Sequence, residues 1–179
     1  MKLAGVYAIK AFRMDEDRTE TAPAETLIGL CRTLGVRVAT AESCTGGLIG
    51  AALTAVPGSS DVFEGGIIAY QNRVKAALLR VSPATLETDG AVSTACACQM
   101  ARGACGALGA DLGIAVTGIA GPGGATPAKP VGLVCIGLCF RGTVSASVHR
   151  FAGDRAAVRA QTVHTALTEA IARLQKERE

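Results

Sequence analysis

Apolar positions along residues 23–175 recur with two alternating periods, one helical and one of strand type. Leu27, Leu30 and Leu34 stand at helical spacing behind Pro23, a favourable first helical residue, and Gly35 ends that helix. Val36–Thr40 is β-branched at alternate positions and predicts the first strand, followed by a helix over Gly46–Ala55 and a turn at Val56–Ser60. Gly65–Tyr70 reads as a buried strand, and Asn72 as the cap of a helix through Val74, Leu78 and Leu79. Ser82-Pro83 starts a short helix, and Ser93 caps a longer one, Thr94–Leu108, whose alanines and cysteines predict tight packing. Leu112–Thr117 is a strand, and Val131–Phe140 and Thr143–Phe151 form a hairpin joined at Arg141-Gly142. In the last strand Val144, Ala146 and Val148 alternate with Thr143, Ser145, Ser147 and His149, so one face is expected to meet the core. Asp154 caps the final helix, which carries Val163, Leu167, Ala170 and Leu174 on one stripe. Helices and strands that alternate and end in a hairpin predict a three-layer α/β/α fold with a mixed central sheet.

Before this pattern, Leu3–Phe12 is strand-like and Met14–Arg18 is a charged run of solvated character. Residues 1–22 are therefore expected to be an N-terminal extension to one domain over 23–179. The 179 residues suit a single domain, and 49% apolar against 18% charged residues predict an ordered core. Aromatics at 3% and 22 glycines favour close-packed helices on a sheet over a β-sandwich. A net charge of +3, without aromatics among the basic residues, points away from nucleic acid. No stretch has the length of a membrane span, and the N-terminus lacks a signal-peptide pattern, so a soluble cytoplasmic protein is expected. The seven cysteines are odd in number, lack C-x-x-C spacing and sit in apolar runs, which predicts buried thiols rather than disulfides or a metal site. With only His149 and His164 present, a Ser-His-Asp triad would have to recruit one of those two.

Four polar clusters fall at predicted strand ends, where open α/β sheets build their sites. The first, Glu42-Ser43-Cys44-Thr45-Gly46-Gly47, puts a hydroxyl and a thiol beside backbone N–H groups at a helix start. Ser43 or Thr45 there is either a helix cap or part of a nucleophile turn. In the second, Tyr70–Lys75, the lysine lies in a first helical turn beside Arg73. Helix dipole, Arg73 and burial would all lower its pKa, as a general base to a serine requires; a solvated surface lysine is the alternative. The third, Thr117–Gly124 continuing to Lys129-Pro130-Val131-Gly132, is a glycine-rich loop without a Walker lysine. It either wraps a ligand or merely connects two strands. The fourth is Gly153-Asp154-Arg155 with Arg159 one turn later, a spacing that suits a phosphate or carboxylate, or acids on a neighbouring helix.

Taken in order, AESCTGG, GGIIAYQNRVK, GAVS, VTGIAGPGG, KPVG and GDRAAVR resemble the CinA C-terminal domain family, over roughly residues 23 to 175. Its members include bacterial nicotinamide-nucleotide amidohydrolases, or NMN deamidases. The resemblance implies hydrolysis of the carboxamide of nicotinamide mononucleotide to nicotinate mononucleotide and ammonia, in pyridine nucleotide salvage. It further implies a serine/lysine mechanism with Ser43 as nucleophile, Lys75 as base and Tyr70 in support. The oxyanion and substrate positions are then Cys44, Thr45, Gly46, Gly47, Thr117, Gly118, Arg155 and Arg159. No metal or organic cofactor is implied. The expected partners are the small nucleotide substrate and further copies of the same chain in a homo-oligomer, with no nucleic acid or membrane. Two-domain members carry an additional N-terminal domain, and this sequence looks like the stand-alone form.

The sequence departs from the family after the tyrosine, where Gln71-Asn72-Arg73 stands in place of the usual Ser-Asn-Glu. A cation there should lower the lysine's pKa. Two alternatives stay open: a catalytically silent nucleotide-binding or competence/damage-associated interaction module, and a hydrolase using Cys44.

Overall fold

The structure, a computed structural model, describes residues 18–177. Leu3–Phe12, read as strand-like, lies outside the described residues. Among the described residues six α-helices accompany five strands: α1 (Arg18–Leu34), β1 (Val38–Glu42), α2 (Leu48–Thr54), β2 (Phe63–Ile68), α3 (Asn72–Leu79), α4 (Pro83–Thr88), α5 (Thr94–Leu108), β3 (Leu112–Gly118), β4 (Leu133–Phe140), β5 (Thr143–Arg150) and α6 (Arg155–Gln175). The strands form one sheet in the order β2-β1-β3-β4-β5. β1 pairs in parallel with β2 and β3, while β3-β4 and β4-β5 are antiparallel. The expected mixed sheet in an α/β/α sandwich is what the chain adopts.

The two faces of the sheet differ in the size of their side chains. Leu112, Ile114 and Val116 of β3 and Val134, Ile136 and Leu138 of β4 pack with α1 and α6, through Leu27, Ile28, Leu167 and Leu174. The opposite face presents Ala39, Ala41, Ala115 and Cys139 to Cys96, Met100, Ala101 and Ala104 of α5. Small residues are needed there because α5 lies almost on the sheet. A methyl group at Gly113 would strike the Ala101 carbonyl, and one at Gly137 the Ala97 carbonyl.

Element ends depart from the sequence reading where backbone bonds are taken by neighbours. α1 starts at Arg18 and runs through Pro23, which forfeits its own N–H bond without ending the helix. β1 starts at Val38 rather than Val36, because the Val36 N–H closes α1 on the Cys31 carbonyl at 2.9 Å. On β5 the apolar face meets the core only through Val144. Ala146 is exposed and Val148 is 55% exposed, on a strand that forms one edge of the sheet. All seven cysteines are free thiols.

Candidate active site

Strand alternation decides which way the residues at the end of β1 point. Glu42 turns toward α2, and Ser43, one residue on, turns to the other side of the sheet, toward α3. The Ser43 N–H is held by the Val116 carbonyl of β3 at 3.1 Å, and the Glu42 carbonyl by the Ala69 N–H at 2.8 Å. These bonds carry the ladder one step past its regular end, so Ser43 and the Ala69-Tyr70 segment face each other. α3 then begins at Asn72 and places Lys75 in its first turn.

Lys75 is not on the surface: it is 1% exposed, the largest fully buried side chain among the described residues. Its Nζ lies 3.0 Å from Ser43 Oγ, 2.8 Å from the Ala69 carbonyl oxygen and 3.2 Å from that of Tyr70. A neutral amine has two hydrogens and one lone pair. With both hydrogens given to the two carbonyls, the lone pair is left for the Ser43 hydroxyl. Burial pushes the Lys75 pKa below its ordinary 10.5, against a smaller opposite effect from the nearby Cys96 and Cys44 thiols. Arg73, expected to add to this depression, is exposed, and burial is the leading cause.

Ser43, Cys44, Tyr70, Asn72, Lys75, Ala91, Val92, Thr117, Gly118, Ala120 and Arg155 line a cavity of about 210 Å³ over this pair. Arg155 reaches it from the first turn of α6, donating to the Gly121 carbonyl at 2.8 Å and to the Tyr70 hydroxyl at 3.2 Å. Tyr70 thus contacts Lys75 through its carbonyl, while its hydroxyl accepts from an arginine. Thr117 lines the cavity, but its hydroxyl hydrogen goes to the Ala91 carbonyl at 2.7 Å. It therefore ties the Ala91-Val92 wall to β3, with its hydroxyl hydrogen given to a carbonyl.

Three further residues expected at the site act behind it. The Gly47 N–H is committed to the Glu42 carboxylate at 3.0 Å, and the Thr45 hydroxyl to the same oxygen at 2.7 Å. Arg159 does not join Arg155 in a two-arginine clamp. It turns under the Ser43 turn, passing beside Gly46, and donates to the Thr45 carbonyl at 2.8 Å. Its buried Nε has no partner among the described residues. Cys44 lines the cavity, yet its thiol is pushed up to about 11, first by burial, with the Glu42 charge adding to the effect. Sequence reasoning missed Asn72 as a cavity residue, having read it as a cap. It also missed Ala91, Val92 and Ala120, which carry no chemical signature of their own.

A buried serine–lysine pair thus lies at the strand ends of an α/β/α sheet, under a small polar cavity. The family model of the CinA C-terminal domain matches residues 20–174, and the chain belongs to this family. A CinA-like protein of Dictyoglomus thermophilum is 47% identical over 148 residues, covering 83% of this chain and 36% of the relative. A CinA-like protein of Thermosynechococcus vestitus is 53% identical over 151 residues, 84% of this chain and 35% of the relative. The chain thus spans little more than a third of the length of the curated relatives it matches. Among solved structures, the competence/damage inducible protein CihA of Agrobacterium tumefaciens superposes with a TM-score of 0.83 at 46% identity, covering 86% of this chain and 94% of that one. A CinA superfamily protein of Klebsiella pneumoniae gives 0.85 at 34% identity, covering 88% and 98%. Among the described residues, no helix is long and apolar enough to cross a membrane.

Proposed function

We propose that this chain is a serine/lysine amidohydrolase that converts nicotinamide mononucleotide to nicotinate mononucleotide and ammonia. The observation that carries the reading is the 3.0 Å approach of the buried Lys75 amine to the Ser43 hydroxyl. Ser43 Oγ attacks the carboxamide carbon while neutral Lys75 takes the hydroxyl proton. The donor assigned to the tetrahedral oxyanion is the backbone N–H of Cys44, the turn residue beside Ser43 that lines the cavity, while the Gly47 N–H goes to the Glu42 carboxylate. Lys75 then returns the proton to the departing ammonia, and water hydrolyses the acyl-serine by the reverse path. No step calls on a metal or an organic cofactor. Tyr70 serves as a cavity wall and as partner of Arg155, which is a narrower part than proton relay.

Cavity size supports a division of the substrate. At about 210 Å³ it is smaller than the ~300–1,000 Å³ usual for whole-ligand pockets. The nicotinamide ring enters it, and the ribose phosphate stays at the mouth, where exposed Arg155 is the cation within reach. Arg159, turned to Thr45, takes no part in phosphate binding. The Cys44-dependent alternative is weaker, because a thiol held near 11 is almost wholly protonated at neutral pH.

The test is ammonia release from nicotinamide mononucleotide by the unsubstituted chain, Ser43→Ala and Lys75→Ala. Loss in both variants is the expected result. Full activity in Ser43→Ala would overturn the mechanism, and an unsubstituted chain that binds the nucleotide without releasing ammonia would make it a silent binding module.

A further inference from the structure

Glu42 is 1% exposed and does not line the cavity, yet among the described residues it carries the densest set of side-chain hydrogen bonds. One carboxylate oxygen accepts from the Thr45 hydroxyl at 2.7 Å, the Gly47 N–H at 3.0 Å and the Ile49 N–H at 3.1 Å. The other accepts from the Gly50 N–H at 2.8 Å and, more weakly, from the Thr40 hydroxyl at 3.5 Å. Part of this is ordinary helix capping: Gly47, Ile49 and Gly50 supply the orphan N–H groups at the start of α2. The two threonines are not helical donors, however. Thr40 lies before Ser43 and Thr45 after it, and both are fully buried. The carboxylate therefore closes the chain on itself across the Ser43–Gly46 turn.

We propose that Glu42 is the positioning residue of the nucleophile, its carboxylate fixing the one shape of the 43–47 turn that holds the Ser43 hydroxyl against Lys75. This inference rests on the reading of Ser43 as nucleophile. The turn is fixed from several directions at once. Val116 holds the Ser43 N–H, Arg159 holds the Thr45 carbonyl, and Glu42 holds the Thr45 side chain and the Gly47 backbone. Only Glu42 has contacts both before and after the serine. The glutamate also faces the opposite side of the sheet from Lys75, so it acts through the backbone and leaves the base untouched. Loss of the carboxylate should let Ser43 Oγ drift from Nζ, and a misplacement of about 1 Å costs on the order of 10²-fold in rate.

The experiment reads the nucleophile directly, without the nucleotide. Purified chain is treated with a fluorophosphonate, and the rate of labelling at Ser43 is followed by mass spectrometry across pH. In that reaction the Ser43 Oγ–phosphorus bond forms, the phosphorus–fluorine bond breaks with departure of fluoride, and the hydroxyl proton passes to Lys75 Nζ. Glu42→Gln, folded by circular dichroism at the assay temperature, is expected to label about 10²-fold more slowly, with the pH midpoint of the profile unmoved. A labelling rate within about twofold of the unsubstituted chain would make Glu42 a helix cap only and overturn the proposal. Should Glu42→Gln fail to fold, Thr45→Val decides by the same criteria, with a smaller fall expected because the other carboxylate contacts remain. A fall that comes with a displaced midpoint also overturns it, since the effect would then run through the base. An unsubstituted chain that labels at Ser43 but releases no ammonia from nicotinamide mononucleotide sinks the amidohydrolase reading and leaves the positioning role standing. A chain that takes no label sinks both.

Discussion

Two clusters among the described residues set a serine against a base with a carboxylate nearby, and they differ in almost every property that matters for catalysis. At the strand ends, Lys75 Nζ faces Ser43 Oγ at 3.0 Å, while Glu42 works from behind the turn. Between β5 and α6, Ser147 Oγ, His149 Nε2 and Glu169 meet at 2.8–2.9 Å. By composition the second is the more familiar catalytic set. By geometry it is not one. A relay needs the histidine between serine and acid, with one ring nitrogen toward each. Here the same Nε2 faces both Ser147 and Glu169, and Ser147 itself reaches the carboxylate. His149 stacks on Phe151 with ring centroids 5.3 Å apart, and the group belongs to neither cavity wall nor helix start. Burial, a cavity and a base whose free electron pair has only one place to go distinguish a site from a polar cluster.

The largest effects that would sharpen this contrast belong to the first cluster. Ser43→Ala is expected to lower kcat/KM for nicotinamide mononucleotide by about 10⁴-fold or more, and Lys75→Ala by about 10²–10⁴-fold, measured as ammonia release. The double variant should be no worse than Ser43→Ala, since the two act as a unit. The sign of the pH dependence follows from the depressed Lys75 pKa. The base works unprotonated, so the rate should rise with pH through the folded-state value, which lies below the ordinary lysine 10.5, and then level off. A profile flat from pH 6 to 10 would remove Lys75 as the base. Next in size is Arg155→Ala, expected to raise KM by about 10–100-fold through loss of a charge-assisted contact, with kcat changed far less. Arg159→Ala should reverse that split, lowering kcat through the loosened Thr45 carbonyl and leaving KM alone.

How much of this was legible in the sequence depended on what kind of signal each residue carried. The strand–turn–helix around Ser43 and the helix start at Asn72 were readable from apolar spacing and turn chemistry, and with them the approach of cluster one to cluster two. The mixed sheet was readable from the terminal hairpin. The two arginines were inseparable at the level of helical spacing, because i and i+4 share a face. What parts them is that α6 crosses the Ser43 turn, so that one arginine turn meets Tyr70 and the next meets Thr45. Burial of Lys75 was also beyond reach, since it depends on α5 packing against α3, which no local spacing reveals. Thr117 looked like a donor because a hydroxyl's hydrogen has no direction in a sequence; Ala91, distant along the chain, claims it.

Lys75 offers a smaller effect that runs opposite to activity. Its folded-state pKa is lowered, so the unfolded chain holds the proton more tightly, and folding is penalised at every pH below that value. Stability should rise with pH between the folded-state value and 10.5 as the penalty fades. Lys75→Met removes the charge and keeps the length. It should be inactive yet more stable at pH 7 by about 0.5–2 kcal/mol, seen as a higher Tm. A lower Tm would mean that the bonds to Ala69, Tyr70 and Ser43 outweigh the cost of burial.

The smallest expected effect lies in the second cluster, and it is the one that can break the comparison. Ser147→Ala and His149→Ala should each leave ammonia release within about twofold of the unsubstituted chain. The His149–Glu169 pair is about a quarter exposed on each side, so solvent screens it, and its loss should cost about 0.2–1 kcal/mol in stability. For a domain of this size that is a fall in Tm of at most about 4 °C. A larger fall confined to His149→Ala would assign the stability to the stacking of its ring on Phe151, which Ser147→Ala leaves intact. Activity is the decisive readout. If either substitution lowered kcat by tenfold at full folding, the β5–α6 cluster would have to be coupled to Ser43 through α6, whose first turns carry Arg155 and Arg159 to the site. With kcat unchanged, a serine, a histidine and a glutamate in mutual hydrogen-bond contact would stand as a fastening between the edge strand and α6, and chemistry would belong to the pair that burial and the two carbonyls have oriented.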